Sequence, residues 1–131
     1  MYSTLISEAI KAREYSYSPY SNFKVGASIL CDASKVFSGC NVENASYGGA
    51  NCAERTAIFK AVSEGYKKIH ALCVVGSNED YTYPCGICRQ IMVEFAYDSN
   101  IPIIIAKDIE NYKVHSLDEI IPFGFTKNNL I

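Results

Sequence analysis

The sequence lacks a marked excess of charge of either sign. Its 131 residues include 12 basic and 14 acidic side chains, a formal net charge of −2. No overall basic field attracts nucleic acid or an anionic membrane, so neither is an expected partner. Long apolar runs are also missing, because "IPIIIA" at 101–106 is far shorter than the roughly 20 residues of a membrane-spanning helix. We expect a soluble protein.

The N-terminal segment lacks the features of a signal peptide, because Glu8 and Lys11 interrupt the stretch that would have to be apolar. The expected location is therefore the cytoplasm, where thiols are kept reduced. The six cysteines should then be core, metal-binding or catalytic residues rather than a disulfide framework. The chain shows no repeat or linker, so residues 1–131 are interpreted as a single domain.

Apolar periodicity predicts a series of helices and strands. Helices are expected in "TLISEAIKAREYS", "CAERTAIFKAVSEG", "CRQIMVEFA" and, briefly, "LDEIIPFGF"; strands are expected in "KVGASILC", "VFSGCNV", "KIHALCVVG", "IPIIIA" and, at an edge, "YKVHS". Since a helix between two strands favours a parallel crossover, the pattern predicts an α/β fold: a mixed sheet with helices packed on its faces.

Three cysteines lie at predicted strand-to-helix junctions, where α/β proteins bind ligands. Cys85 and Cys88 have a C-x-x-C spacing, which suits either a zinc knuckle or a redox pair. Cys52 opens another predicted helix, and two helix N-termini aimed at one point would stabilise thiolates. Three thiolate ligands would leave the fourth position of a zinc ion open for water, which is the catalytic arrangement.

The segment "NCAER" places a carboxylate and a cation beside the first of these cysteines. Zinc lowers the pKa of bound water, so a hydroxide can attack an electrophilic carbon while a carboxylate moves protons. Glu54 fits the role of this proton-moving carboxylate. Without the cysteines, a glutamate in the first turn of a helix would be interpreted as complementing the helix dipole. Arg55, three residues after Cys52, could compensate the negative charge of three thiolates without itself binding the metal.

Ordinary structural roles are expected for the other reactive side chains. These are core packing for Cys31, Cys40 and Cys73; packing or surface positions for His70 and His115; and solvated charge for Lys67, Lys68 and Arg89.

The pattern C-A-E at 52–54 and P-C-x-x-C at 84–88 resembles the small zinc-dependent cytidine deaminases. The segments "SPYSNFKVGA", "NVENASYG" and "PFGF" extend the resemblance over nearly the whole chain. It implies a three-layer α/β/α fold with a mixed five-stranded sheet, and one Zn²⁺ per chain on Cys52, Cys85 and Cys88. Cysteine as the first ligand resembles the branch that acts on free nucleosides, whereas deaminases of nucleic acids and nucleotides typically carry histidine there.

The same resemblance implies the reaction and the substrate contacts. The reaction is hydrolytic deamination of cytidine and 2′-deoxycytidine in pyrimidine salvage, in which zinc hydroxide attacks C4 and Glu54 shuttles protons. The resemblance also implies that Asn41 and Glu43 bind the ribose and that Phe23 packs on the pyrimidine. It further implies a homotetramer whose chains share active sites through Ala45, Tyr47 and a C-terminal aromatic residue, Phe125 or Phe123.

Three alternatives differ in chemistry. A blasticidin S deaminase would be a similar zinc enzyme, but Asn41 and Glu43 favour the ordinary nucleoside. A non-enzymatic zinc module would close the site with Glu54 as fourth ligand. A thiol redox protein would use Cys85 and Cys88 and leave Cys52 unexplained.

Overall fold

A computed structural model describes residues 2–77 and 79–130. Within these ranges the helices are α1 (Tyr2–Arg13), α2 (Ala53–Ser63), α3 (Gly86–Phe95) and the short α4 (Leu117–Ile120). The strands are β1 (Gly26–Cys31), β2 (Val36–Cys40), β3 (Ile69–Val75), β4 (Pro102–Ala106) and β5 (Tyr112–Ser116). Every predicted helix and strand is confirmed, with ends that differ by a few residues.

The five strands form one mixed sheet in the order β2-β1-β3-β4-β5. Neighbouring strands are antiparallel except β3 and β4, which run parallel and are joined by α3. This is the parallel crossover that the sequence predicted. β5 lies at the edge, and its residues 112–114 are exposed.

Helices cover both faces of the sheet, which gives the expected three layers. Leu5 and Ile6 of α1 pack in one apolar cluster with Cys73 of β3. The next residue along that strand, Val74, points the other way into the cluster that contains Ile58 of α2. This alternation follows from the two-residue period of a strand. Among the described residues, no helix is long and apolar enough to cross a membrane.

Two glycines allow helices to approach the sheet closely. A Cβ on Gly26 would lie 1.9 Å from the backbone oxygen of Ala9 in α1, and a Cβ on Gly39 would lie 2.7 Å from the backbone nitrogen of Ala57 in α2. Both distances are far inside van der Waals contact. Because glycine has no side chain, α1 and α2 can pack this closely on opposite faces of the sheet.

One charged residue behaves differently from its prediction. Arg89 is half-buried rather than solvated: its Nε donates to the backbone oxygen of Pro84 at 2.8 Å, and its Nη1 donates to that of Ile120 at 2.7 Å. It thereby ties the start of α3 to the end of α4. Core positions for Cys31 and Cys73 are confirmed, whereas Cys40 is only half-buried.

Candidate active site

The three cysteines of the predicted metal site meet where two helices begin. Cys52 is the N-cap residue of α2, Cys85 is the N-cap residue of α3, and Cys88 lies in the first turn of α3. Both N-cap residues have extended backbone conformations. The positive ends of two helix dipoles therefore point toward one group of sulfurs, which favours their thiolate forms.

The spacing of the sulfurs suits a tetrahedral metal ion. Cys85 Sγ lies 3.8 Å from Cys52 Sγ and 3.5 Å from Cys88 Sγ, and all three atoms are within 4.8 Å of one another. Two sulfurs bound at about 2.3 Å to a tetrahedral zinc would lie about 3.8 Å apart. Residues that are far apart in sequence thus form a donor set suited to zinc.

The pKa values of the Cys52 and Cys88 thiols are shifted in opposite directions. The pKa of Cys52 is lowered to about 5, first by a hydrogen bond from Cys88 and then by Arg55 and Cys85, against the opposing effect of burial. The pKa of Cys88 is raised, because its proton is held by Cys52 and because the side chain is buried. A dication that binds between these sulfurs must displace that proton.

Glu54 is a buried carboxyl group beside the cluster. It is 4% exposed, and burial, followed by the nearby charge of Cys52, raises its pKa to about 7. A carboxyl group that titrates near neutrality can both accept and donate a proton, which general acid–base chemistry requires. Its place in the first turn of α2 puts it one residue from Arg55 and two from Cys52.

Arg55 supplies positive charge next to the sulfurs. Its Nη2 donates a hydrogen bond to Cys52 Sγ at 3.3 Å. Its Nε is buried and has no hydrogen-bond partner among the described residues. Three thiolates around a dication leave one net negative charge, so an adjacent guanidinium offsets it.

An open cavity of about 150 Å³ borders the cluster. Its lining comprises Val25, Asn41, Cys52, Ala53, Glu54, Thr82, Tyr83 and Cys85. This cavity is thus bordered by two candidate metal ligands, Cys52 and Cys85, by the buried carboxyl group of Glu54, and by Asn41, the predicted ribose-binding residue.

The carboxamide of Asn41 is engaged with the segment that carries Phe23. Its Oδ1 accepts hydrogen bonds from the backbone N–H of Val25 and from the Ser16 hydroxyl, and its Nδ2 donates to the backbone oxygen of Phe23 at 2.8 Å. Phe23 is partly exposed and lines a neighbouring cavity with Thr82. The structure thus brings Asn41 and Phe23 together at the edge of the site.

The other predicted substrate residues lie farther out. Glu43 and Tyr47 line a separate depression of about 290 Å³. The Glu43 carboxylate accepts hydrogen bonds from the Ser21 hydroxyl and from the backbone N–H groups of Ser21 and Tyr20, which lower its pKa. Ala45 and Phe125 line none of these three cavities, and both are exposed.

Several residues at the site were not predicted from the sequence. Thr82 and Tyr83 form part of the cavity wall, and their position directly before Pro84-Cys85 was an available signal. Ser16 and Ser21 hold the side chains of Asn41 and Glu43, and no feature of the sequence pointed to them.

Fold and site together define a small α/β protein with a three-thiol centre suited to zinc and a buried carboxyl group beside it. Residues 1–104 match the family model described as the cytidine and deoxycytidylate deaminase zinc-binding region. The chain belongs to this family.

Similar proteins cover nearly the whole chain. The cytidine deaminases of Sporosarcina psychrophila and Halalkalibacterium halodurans are 42% and 43% identical to it over 126 residues, which is 96% of this chain and 92% and 95% of theirs. The crystal structure of cytidine deaminase from Burkholderia pseudomallei matches with a TM-score of 0.88 at 44% identity, covering 95% of this chain and 99% of that one. These matches confirm the family resemblance and the fold.

Proposed function

We propose that the chain catalyses the hydrolytic deamination of cytidine and 2′-deoxycytidine to uridine and 2′-deoxyuridine, with release of ammonia. The observation that carries this proposal is the cavity that borders both the sulfur cluster and the buried Glu54. Family membership and relatives that are themselves cytidine deaminases support it.

In this reaction Glu54 moves two protons. It takes one from the attacking water and delivers it to N3 of the pyrimidine, which makes C4 more electrophilic. It then takes the proton of the hydroxyl newly attached to C4 and gives it to the amino group. The C4–N bond breaks, ammonia leaves, and C4 keeps the oxygen as a carbonyl. A carboxyl group whose pKa is near 7 is suited to both directions of transfer.

Cys52, Cys85 and Cys88 would hold a zinc ion, which activates water for attack when it is bound. Arg55 would offset the charge of the thiolates through its contact with Cys52.

Substrate binding would fall to the residues around and beside the cavity. Asn41 and Glu43 would bind the sugar hydroxyls, and Phe23 would pack on the pyrimidine ring. The network that ties Asn41 to the backbone of Phe23 supports this assignment, because it couples sugar recognition to base recognition.

The geometry favours an open metal site over a closed structural one. The mutually close donor atoms found among the described residues are the three sulfurs, and no oxygen of Glu54 belongs to that set. A zinc ion held by these three sulfurs would therefore keep a fourth position for water. This arrangement supports an enzyme rather than a zinc module in which Glu54 completes the coordination shell.

We also propose that the protein works as a homotetramer in cytoplasmic pyrimidine salvage. Neighbouring chains would contribute the segment around Ala45 and Tyr47 together with Phe125. Tyr47 is 80% exposed and Phe125 is 56% exposed in the single chain, so both aromatic rings are accessible to a neighbour. Light scattering of the purified protein tests the assembly, and a monomer that is fully active would contradict it.

The decisive experiment measures ammonia release from cytidine by the zinc-loaded wild type and by Glu54→Gln. Glutamine has nearly the same shape but cannot carry the proton, so we expect bound zinc to remain and the rate to fall by at least about 10²-fold, the lower range for a general acid–base residue. Glu64→Gln is the matched control, because Glu64 caps the C-terminal end of the same helix and is exposed.

The outcomes separate the alternatives. Near-normal turnover in Glu54→Gln would remove the assigned role of Glu54. A zinc-loaded wild type without activity on cytidine would move the proposal to another aminopyrimidine substrate, with blasticidin S tested first.

A further inference from the structure

Tyr83 connects the cavity wall to a distant part of the chain. This residue lines the cavity together with Glu54, Cys52 and Cys85. Its Oη lies 2.9 Å from Nε2 of His115 on β5, and the two ring centroids are 5.4 Å apart. The edge strand of the sheet therefore reaches the wall of the active-site cavity.

Glu119 fixes the orientation of the His115 imidazole. His115 Nδ1 lies 3.2 Å from Glu119 Oε2, and a carboxylate can only accept a hydrogen bond. In a neutral imidazole Nδ1 therefore carries the proton, Nε2 accepts, and the Tyr83 hydroxyl donates. The other oxygen of Glu119 accepts from the backbone N–H of Ser116 in a capping box, so the carboxylate is itself held in place.

The same strand supports the wall at a second point. We call residues 81–83 the wall segment. Lys113 Nζ lies 4.6 Å from the ring centroid of Tyr81, and Lys113 and His115 are alternate residues of β5 that share one face. Alternate residues of the strand thus contact alternate residues of the wall segment. Thr82, between them, lines the cavity.

We propose that His115 is a positioning residue for the deaminase reaction: together with Glu119 it holds the Tyr83 phenol in place and so sets the wall against which the nucleoside binds. This inference rests on the proposed function. Since His115 contacts Tyr83 and Glu119 and does not line the cavity that Glu54 borders, we expect its loss to act on substrate binding and to leave the chemical step intact.

A double-mutant cycle tests the proposal with Tyr83→Phe, His115→Ala and the double variant. Each single change removes the same hydrogen bond, so we expect the KM for cytidine to rise about threefold to tenfold, the range for one net hydrogen bond, while kcat stays within about twofold. The double variant should be no worse than the single variants. His115→Gln, whose amide can accept from the phenol, should restore part of the binding.

His70→Ala is the matched control. His70 also contacts a carboxylate, that of Asp32, and stacks on an aromatic ring, that of Tyr97 at 4.7 Å, but it lies outside the cavity lining. We expect no change in KM from this substitution. Zinc content and the urea unfolding midpoint of every variant would show whether a variant has merely lost its fold.

A second measurement does not depend on activity. The chain has only two histidines, so ¹⁵N spectra of the imidazoles are simple to assign. We expect His115 in the Nδ1–H form, with an Nε2 resonance that shifts in Tyr83→Phe and not in His70→Ala.

The possible failures are distinguishable. An active wild type with additive effects in the cycle, an unchanged KM in Tyr83→Phe, or an unshifted Nε2 resonance would overturn the positioning role alone. A zinc-loaded wild type that does not deaminate cytidine would overturn the proposed function, and the role of His115 in that reaction would fall with it.

Discussion

Gly76→Ala is expected to disturb the active-site wall without touching any candidate catalytic group. A Cβ at this position would lie 2.0 Å from Thr82 Oγ1 and 3.0 Å from Phe23 Cζ. Ordinary contacts are about 3.5–4.0 Å, so Thr82 must move by roughly 1.5 Å or the end of β3 must shift. Both residues border the proposed substrate site.

The size of the effect follows from this displacement. A misplacement of about 1 Å in a site costs about 10²-fold in rate, and overpacking costs about 1–3 kcal/mol of stability. We therefore expect kcat/KM for cytidine to fall about 10- to 100-fold and the free energy of unfolding in urea to fall by about 1–3 kcal/mol. The amount of bound zinc should be unchanged, because Gly76 belongs neither to the sulfur cluster nor to α2 and α3, the helices that begin at it.

Two further variants make the assay specific. Thr82→Ala removes the oxygen that the new methyl group would meet, so adding it to Gly76→Ala should restore part of the activity. Gly48→Ala is the control for the unfolding measurement only, because a Cβ there would meet no atom of the same chain within 4 Å, while the residue adjoins the segment proposed to reach a neighbouring site. Wild-type kcat/KM and stability in Gly76→Ala would refute the reasoning, as would a double variant that is worse than either single one.

Two further predictions concern the cysteines. Cys85→Ala or Cys88→Ala should abolish zinc binding and lower stability, since metal binding and folding are coupled, whereas Cys40→Ala should keep the metal; a fully zinc-loaded Cys85→Ala protein would contradict the ligand set. Burial raises the pKa of Cys73 from 9.0 to about 12, so above pH 9 the unfolded chain binds fewer protons and stability falls as pH rises. In urea titrations the excess loss of stability of the wild type over Cys73→Ala should be about half of 1.4 kcal/mol per pH unit at pH 9 and should approach about 1.4 kcal/mol per pH unit between pH 10 and 11; equal slopes would contradict this.

The secondary structure could be predicted from the sequence because its signals are local. The short apolar run of "KIHALCVVG" and the helical spacing of "CAERTAIFKAVSEG" each lie within one segment and agree with the final packing, in which β3 is buried on both faces. The sulfur cluster was predictable for a related reason. Cys52 and Cys85 each precede a helix that follows a strand, and such junctions meet at one edge of an α/β sheet.

Contacts that depend on side-chain reach across the fold were not predictable. Arg89 appeared to be a surface charge, because nothing near it indicates that the carbonyl of Ile120 would lie 2.7 Å away. His115 had no partner motif in the sequence, and its contact with Tyr83 exists only because β5 lies beside the wall segment. Periodicity shows which face a residue occupies, but it does not show which distant side chain it meets.

Asn41 and Glu43 illustrate how the structure sharpens a prediction made by resemblance. Both lone pairs of Asn41 Oδ1 are taken by Val25 and Ser16, and one N–H of its amide goes to Phe23, so Asn41 can offer a sugar only a donor. An ionised Glu43 can offer only acceptors. Under the proposed roles, a hydroxyl that accepts from Asn41 and donates to Glu43 satisfies both residues at once. A group at that position that can only accept, such as a methyl ether, would lose the hydrogen bond to Glu43 and should bind more weakly than the hydroxyl.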